Sequence, residues 1–220
     1  MKIIVSLTSW KKRIEKIDVT LNSILHQTLL PDSIELNLSL EEFPNKEKDL
    51  PEKIQSFLNE HKNMINCNWC EGNTRTFKKI IPTLKKYVNE DTYYIVSIDD
   101  DFIYREDYIQ LMVNYIKEYD ADSFCMANSK VIGNRTIYKS SAFENDFHEK
   151  LTQEIISYGI DDGYTEYYLA CKKRKMSNYR PDDVKEIIIV HDEDFPLHDE
   201  YKQGDRIKQA GIAIRKVKFT

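Results

Sequence analysis

The segment YIVSIDDDFIY, residues 94–104, carries an apolar stretch directly into three consecutive aspartates. Residues 93–98 have the composition of a buried strand. Three adjacent carboxylates repel one another, and Mg²⁺ or Mn²⁺ relieves that repulsion by taking oxygen ligands from carboxylates and substrate phosphates. The alternative is a surface turn of acids before a helix whose first turn, near Glu106 and Asp107, favours negative charge. The preceding strand favours the functional interpretation.

Strand and helix patterns alternate on both sides of this segment. Predicted strands cover residues 2–7, 34–40, 64–69, 93–98, 123–127 and 135–138, and predicted helices cover residues 17–25, 51–58, 77–88 and 109–116. Pro82 must kink or restart its helix, because proline lacks the backbone donor. Parallel strands need crossover connections, which are usually helices. The pattern predicts an α/β fold with a Rossmann-like, mainly parallel central sheet, whose ligands bind at the carboxyl ends of the strands.

The second half of the chain is predicted to be more helical. Residues 147–158 form a helix that ends at Gly159, another helix begins at Tyr164, and residues 187–190 form one late strand. There is no internal repeat, low-complexity stretch or linker. We expect one domain over residues 1–220, a size that buries a core without disulfide support. Arg206, Lys208 and Arg215 near the C-terminus have no assigned role.

The composition excludes some classes of function. The 32 basic and 37 acidic residues are mixed along the chain and give a formal net charge of -5, which does not indicate nucleic acid as a partner. Four cysteines and a short apolar start, residues 3–7, predict reduced thiols and a soluble cytoplasmic protein. The basic run at residues 172–175 is either a solvated helix face, which we favour, or a peripheral contact with the inner face of the membrane. The sequence does not predict an oligomeric state.

Several segments resemble small bacterial glycosyltransferases of the GT-A fold, similar to family 2. The triplet Asp99–Asp101 matches their DXD motif, which binds a metal and the diphosphate of a nucleotide sugar. The opening VSLTS at residues 5–9 with Arg13, the segments LHQT (25–28) and PDSI (31–34), and FKKIIPTL (77–84) also look like these enzymes. None of these motifs is specific alone, but their order along the chain is.

The resemblance implies roles for individual residues. It implies Mn²⁺ or Mg²⁺ as cofactor, a nucleotide-sugar donor with a UDP-sugar as first choice, and a glycan or glycolipid acceptor in cell-surface polysaccharide or lipooligosaccharide synthesis. Residues 1–104 would bind the nucleotide and residues 105–220 the acceptor. The implied nucleotide-sugar contacts are Thr8, Ser9, Arg13, Lys78, Lys79, Asp99 and Asp100, and the implied metal ligands are Asp99, Asp101, His191 and His198.

The pair Asp161–Asp162 in the motif GIDDG, residues 159–163, is the candidate catalytic site. GT-A enzymes often place a carboxylate here against the acceptor, where it can remove the proton of the attacking hydroxyl. We favour Asp162 as this base, with Asp161 as the alternative, which predicts inversion at the anomeric carbon. Both acids could instead stabilise the start of the next helix.

Three other interpretations are weighed against a transferase. A sugar nucleotidyltransferase would open with a glycine-rich phosphate loop, yet no glycine lies between Met1 and Glu71. A non-catalytic domain could hold a structural cation on the same acids. Cys67 and Cys70 have the spacing of a redox or zinc pair, but no second Cys or His pair completes a zinc site, so we interpret them as incidental thiols.

Overall fold

The first strand lies near the centre of a seven-stranded sheet. The structure is a computed structural model that describes residues 1–88, 92–127, 135–191 and 203–219. The strands are β1 (Lys2–Thr8), β2 (Ser33–Ser39), β3 (Ile65–Cys70), β4 (Tyr93–Ser97), β5 (Phe102–Tyr104), β6 (Ser123–Cys125), β7 (Thr136–Lys139), β8 (Met176–Asn178) and β9 (Ile188–Val190). The helices are α1 (Ile17–Leu25), α2 (Glu52–Glu60), α3 (Ile81–Tyr87), α4 (Tyr108–Glu118), α5 (Asp146–Glu149), α6 (Gln153–Tyr158), α7 (Asp161–Cys171), α8 (Val184–Ile187) and α9 (Gln203–Lys216).

The order of the strands creates a crevice beside β1. The large sheet has the order β3-β2-β1-β4-β7-β6-β8, and β1 to β4 are parallel. From β1 the chain builds outward through β2 and β3, and β4 then pairs with the other side of β1. This reversal opens a crevice at the carboxyl ends of β1 and β4, where open α/β sheets bind ligands. The loops that follow Thr8 and Ser97 therefore meet.

Helices cover both faces of the sheet, as period-2 side-chain alternation requires of a parallel sheet with two apolar faces. On one face α1, α2 and α4 pack on a core that includes Val5, Leu36 and Val96. On the other face α3, α7 and α9 pack on a core that includes Ile95 and Tyr138. The predicted mainly parallel α/β sheet is confirmed. Among the described residues, no helix combines the length and apolar character needed to cross a membrane.

The structure corrects some boundaries in the second half. The predicted helix over residues 147–158 is two helices, α5 and α6, because the Thr152 side chain accepts a hydrogen bond from the Ile155 amide and caps a new helix start. Helix α7 begins at Asp161 rather than at Tyr164. The late strand β9 pairs antiparallel with β5 in a separate two-stranded sheet. Pro82 does restart its helix, because α3 follows the 3-10 helix Arg75–Lys79.

Candidate active site

The three consecutive aspartates after β4 have different partners. Asp99 contacts Lys79, Asp100 contacts the loop after β1, and Asp101 lies next to β9. The turn is held from below by Tyr104, whose hydroxyl accepts a hydrogen bond from the Asp99 amide at 3.0 Å. Tyr104 is buried beneath this turn. Each acid therefore has its own environment.

Asp100 fastens the loop after β1 to the loop after β4. Its carboxylate accepts a hydrogen bond from Ser9 Oγ at 2.6 Å and forms an ion pair with Arg13 Nη1 at 2.9 Å. Its backbone carbonyl accepts a hydrogen bond from Thr20 Oγ1 on α1 at 2.9 Å. Asp100 is 8% exposed. Since Arg13 and Ser9 occupy both carboxylate oxygens, Asp100 organises the crevice.

Lys79 joins the acid triplet to the second acidic pair. Its ammonium group lies 2.8 Å from Asp99 Oδ1 and 3.1 Å from Asp161 Oδ2. Burial alone would lower the pKa of Lys79, but Asp161 and Asp99 outweigh it and hold that pKa well above its usual value. A buried cation between two carboxylates is a fixed electrostatic link. It brings residues from β4 and from the start of α7 into one site.

Asp162 differs from its neighbour Asp161. Asp161 is buried against Lys79, whereas none of the ion pairs described for this part of the chain includes Asp162. Burial, and then the charge of Asp161, raise the pKa of Asp162 to about 6. A carboxylate with a pKa near the working pH is suited to proton transfer. The geometry thus separates the two acids that sequence reasoning left as alternatives.

Asp101 has one oxygen without a partner. Oδ2 lies 3.0 Å from Arg13 Nη1, but the buried Oδ1 forms no hydrogen bond. Burial, together with the charge of Asp99, raises the pKa of Asp101 to about 7. A buried carboxylate oxygen with no hydrogen-bond donor is an unsatisfied acceptor, which a positive charge would stabilise. This atom is therefore a candidate ligand for a cation.

The residues fit a metal that binds partly through a substrate. In the described ranges, no group of three or more His, Cys, Asp or Glu side chains is arranged to hold a metal ion. Mg²⁺ and Mn²⁺ commonly use only one or two carboxylates and complete their shells with substrate phosphates and water. Asp101 supplies an oxygen without a donor, and Asp99 is 32% exposed toward the crevice. Two carboxylates fit that mode of binding.

His191 lies beside Asp101, but its ring is hydrogen-bonded to Thr20. The His191 amide donates to the Asp101 carbonyl at 3.0 Å, and Nε2 lies 2.9 Å from Thr20 Oγ1. Thr20 has a single hydroxyl proton, which it donates to Asp100, so Nε2 must be the donor toward Thr20. A protonated Nε2 cannot bind a metal, and ligation by His191 stays a prediction. His198 lies outside the described residues.

The remaining predicted contacts are divided between the site and its surroundings. Lys78 points away from the triplet, since its ammonium group lies 2.6 Å from Asn73 Oδ1 and 3.5 Å from Glu42 Oε2. The Thr8 hydroxyl donates to the Asn37 carbonyl at 2.7 Å and so ties the end of β1 to β2. Of the two candidate lysines, Lys79 is therefore the one in contact with the triplet.

Sequence reasoning missed Thr20, which contacts both Asp100 and His191. Thr20 lies on α1 among the apolar residues whose helical spacing predicted that element, and their pattern gave Thr20 no role. The only available signal was a hydroxyl on a buried face. Cys67 and Cys70 are free thiols on β3, and burial raises the pKa of Cys67 to about 12, which does not support a reactive pair.

Comparison with known protein families finds one match, which covers the region of this site. The model of the family "Glycosyl transferase family 2" matches residues 83–180, which include the acid triplet and the pair Asp161–Asp162. This part of the chain is similar to the family 2 glycosyltransferases. The match covers less than half of the chain and does not by itself assign the roles of individual residues.

Solved structures share the fold of this chain. S. aureus TarS 1-349 in complex with UDP has 12% identity and a TM-score of 0.52, over 85% of this chain and 63% of that one. The complex of TarS 1-349 with UDP-GlcNAc has 12% identity and a TM-score of 0.54, over 82% of this chain and 59% of that one. The chain therefore spans less than two thirds of the TarS chains it resembles. No match was found among curated proteins.

Proposed function

We propose that this chain transfers a sugar from a nucleotide-sugar donor to a glycan or glycolipid acceptor, with inversion at the anomeric carbon and with a divalent cation as cofactor. The observation that carries the proposal is the link through Lys79 between the acid triplet at the end of β4 and the acidic pair at the start of α7. One acidic group is suited to a metal diphosphate and the other to an acceptor hydroxyl. A nucleotide-binding domain without catalysis would need only the first.

The donor would occupy the crevice at the carboxyl ends of β1 and β4, within residues 1–104. Ser9, Arg13 and Asp100 hold its two loops together, and Lys79 supplies buried positive charge near the phosphates. Preorganised charge of this kind stabilises the negative charge that develops on a leaving diphosphate. TarS binds UDP and UDP-GlcNAc in its crystal structures, which supports a uridine nucleotide as the donor carrier here.

The cation would be held by Asp99 and Asp101, together with phosphate oxygens of the donor. Asp101 Oδ1 is the buried oxygen without a donor, and Mn²⁺ or Mg²⁺ accepts such an oxygen. When bound, the cation offsets charge on the nucleoside diphosphate as it departs. Lys79 and Arg13 neutralise part of the negative charge of the triplet. These ion pairs explain how the loop keeps its conformation before a cation binds.

Asp162 would act as the general base, within the acceptor-binding part at residues 105–220. It removes the proton of the acceptor hydroxyl while that oxygen attacks the anomeric carbon. The bond from this carbon to the diphosphate breaks, and the nucleoside diphosphate leaves with the electron pair. A single displacement of this kind inverts the anomeric centre. Asp161 pairs with Lys79 and positions the lysine instead.

The acceptor class and the cellular site are extensions of the same proposal. Cell-surface polysaccharide or lipooligosaccharide synthesis on the cytoplasmic side would supply glycan or glycolipid acceptors. The basic run at residues 172–175 gives little support for membrane contact, because Lys172, Arg174 and Lys175 pair with acids of the same chain. The predicted solvated helix face is wrong, because residues 172–175 lie in the turn between α7 and β8.

Donor binding tests the proposal directly. In calorimetry, UDP should bind in Mn²⁺ and lose at least about tenfold in affinity in EDTA, because phosphate and carboxylates share the cation. Asp101→Asn should remove most of the Mn²⁺ effect, while Asp120→Asn, at a side chain that is 86% exposed, should not. GDP and CMP are titrated in parallel. Failure of all three nucleotides to bind in Mn²⁺ would overturn the assignment of the crevice.

The pH dependence of turnover tests the base. Since burial raises the pKa of Asp162 to about 6, protonation should abolish its function below that value. We expect kcat/KM for release of nucleoside diphosphate to rise with pH and level off above pH 6, with about a tenfold loss at pH 5. UDP binding is measured over the same range, so that titration in the donor site is separated from titration of Asp162. A flat profile from pH 5 to 8 would contradict the assignment.

A further inference from the structure

Arg206, on the C-terminal helix α9, contacts the turn that carries the acidic pair. Its Nε atom donates to the Tyr158 carbonyl at 2.5 Å, and Nη2 donates to the Gly159 carbonyl at 3.3 Å. These carbonyls lie at the end of α6, where a helix leaves its last acceptors without intrahelical donors. One guanidinium group therefore ties α9 to the backbone two and three residues before Asp161.

The turn between α6 and α7 is tightly packed against this contact. Gly159 has φ +57°, a left-handed conformation that side chains rarely adopt, and a Cβ at this position would lie 3.3 Å from Arg206 Nη2. A Cβ on Gly163 would lie 3.0 Å from Ile160 Cγ2, and Ile214 of α9 is also adjacent. Two glycines thus allow the backbone on both sides of Asp161–Asp162 to approach its neighbours closely.

The path from Arg206 to the candidate base is short. Gly159 is followed by Ile160, and α7 begins at Asp161, so the direction of the first turn of α7 depends on where the Gly159 peptide lies. The contacts of Lys79 with Asp161 fix the other side of that turn. Displacement of a reacting group by about 1 Å can cost about 10²-fold in rate, because the attacking atoms must be aligned.

We propose that Arg206 is a positioning residue for Asp162 and that α9 thereby controls the geometry of proton transfer. The inference rests on the proposed role of Asp162 as general base, but the contact itself can be tested without that role. Arg206 acts through the backbone of the turn and through its fixed charge on the Asp162 side of α9. It is not expected to contact the donor.

Hydrogen exchange tests the positioning by itself. Arg206→Gln should speed exchange of the amides at residues 156–164 by about tenfold or more, because two hydrogen bonds to a charged donor are lost. Lys208→Gln, at an exposed side chain two residues further along the same helix, is the matched control and should leave this segment unchanged. Unchanged exchange in Arg206→Gln would overturn the inference, whatever the enzyme does.

Turnover tests the link to Asp162. Arg206→Gln should lower kcat for nucleoside diphosphate release by about tenfold with little change in the KM for the donor, because only the base is displaced. In the background of Asp162→Asn, the same change should have almost no further effect, since residues that act through one another are not additive. An additive loss, or a rise in donor KM alone, would overturn the inference. Full activity of Asp162→Asn by itself would instead reject the proposed base and leave the exchange result standing.

Discussion

Asp162→Asn should lower kcat for release of nucleoside diphosphate by roughly 10²- to 10⁴-fold, the usual effect of losing a general base. The amide cannot accept the proton of the acceptor hydroxyl, although its size and most of its packing are retained. Donor affinity should stay within about twofold, because the donor site lies on the other side of Lys79. The measurement is steady-state turnover together with calorimetry of UDP in Mn²⁺.

Asp161→Asn is the matched comparison, since this acid is adjacent but paired with Lys79. We expect it to lower thermal stability and to weaken donor binding, with a smaller loss of kcat at saturating donor. The reverse pattern, with Asp161 essential for kcat and Asp162 dispensable, would exchange the two roles. Equal turnover in the unmodified protein, Asp161→Asn and Asp162→Asn would show that neither acid in this turn is the base.

Lys79→Met should be the most destabilising single change in the site. The side chain keeps its length but loses its charge, which leaves Asp161 buried without its partner and Asp99 partly so. Breaking a buried ion pair from one side costs about 3–5 kcal/mol, because the remaining charge stays desolvated. We also expect UDP binding to become undetectable by calorimetry at any Mn²⁺ concentration. Urea denaturation followed by circular dichroism gives the free energy of unfolding.

Lys78→Met is a control in the neighbouring position and of the same chemistry. Lys78 is buried as well, but its partners are the neutral Asn73 and the partly exposed Glu42. Its loss leaves no buried carboxylate without a partner. The free energy of unfolding should therefore fall by less than half as much as in Lys79→Met. Equal destabilisation by both substitutions would show that burial of the alkyl chain, and not the ion pairs, explains the effect.

Much of the fold follows from short-range patterns. Alternation of apolar strands with helices of period 3.6 predicts the parallel part of the sheet, and Pro82 predicts the start of α3. The triplet could be located because a strand end in such a sheet is also a ligand site. These features depend on local spacing, which one sequence displays directly.

The details of the site depend on contacts that spacing does not encode. Lys78 and Lys79 are adjacent and identical in type, and only the direction of the 3-10 helix before α3 decides which of them reaches Asp99. Thr20 has the spacing of a core residue, and Arg206 lies 44 positions beyond Asp162 with no motif around it. Long-range placement of this kind is a tertiary property, and it gives the two acids at the start of α7 different environments.

The pairing of β4 with β7 has a consequence for how the chain could be divided. The proposed donor and acceptor parts meet at residue 104, yet β4 from the first part has β7 from the second as its neighbour in the sheet. A polypeptide cut at that point would expose the backbone of β4, with Ile95 and Val96, along an open edge prone to association with other chains. Each fragment would therefore need the other to become a soluble protein. The proposed boundary between the donor and acceptor parts is therefore not a boundary between independently folding units.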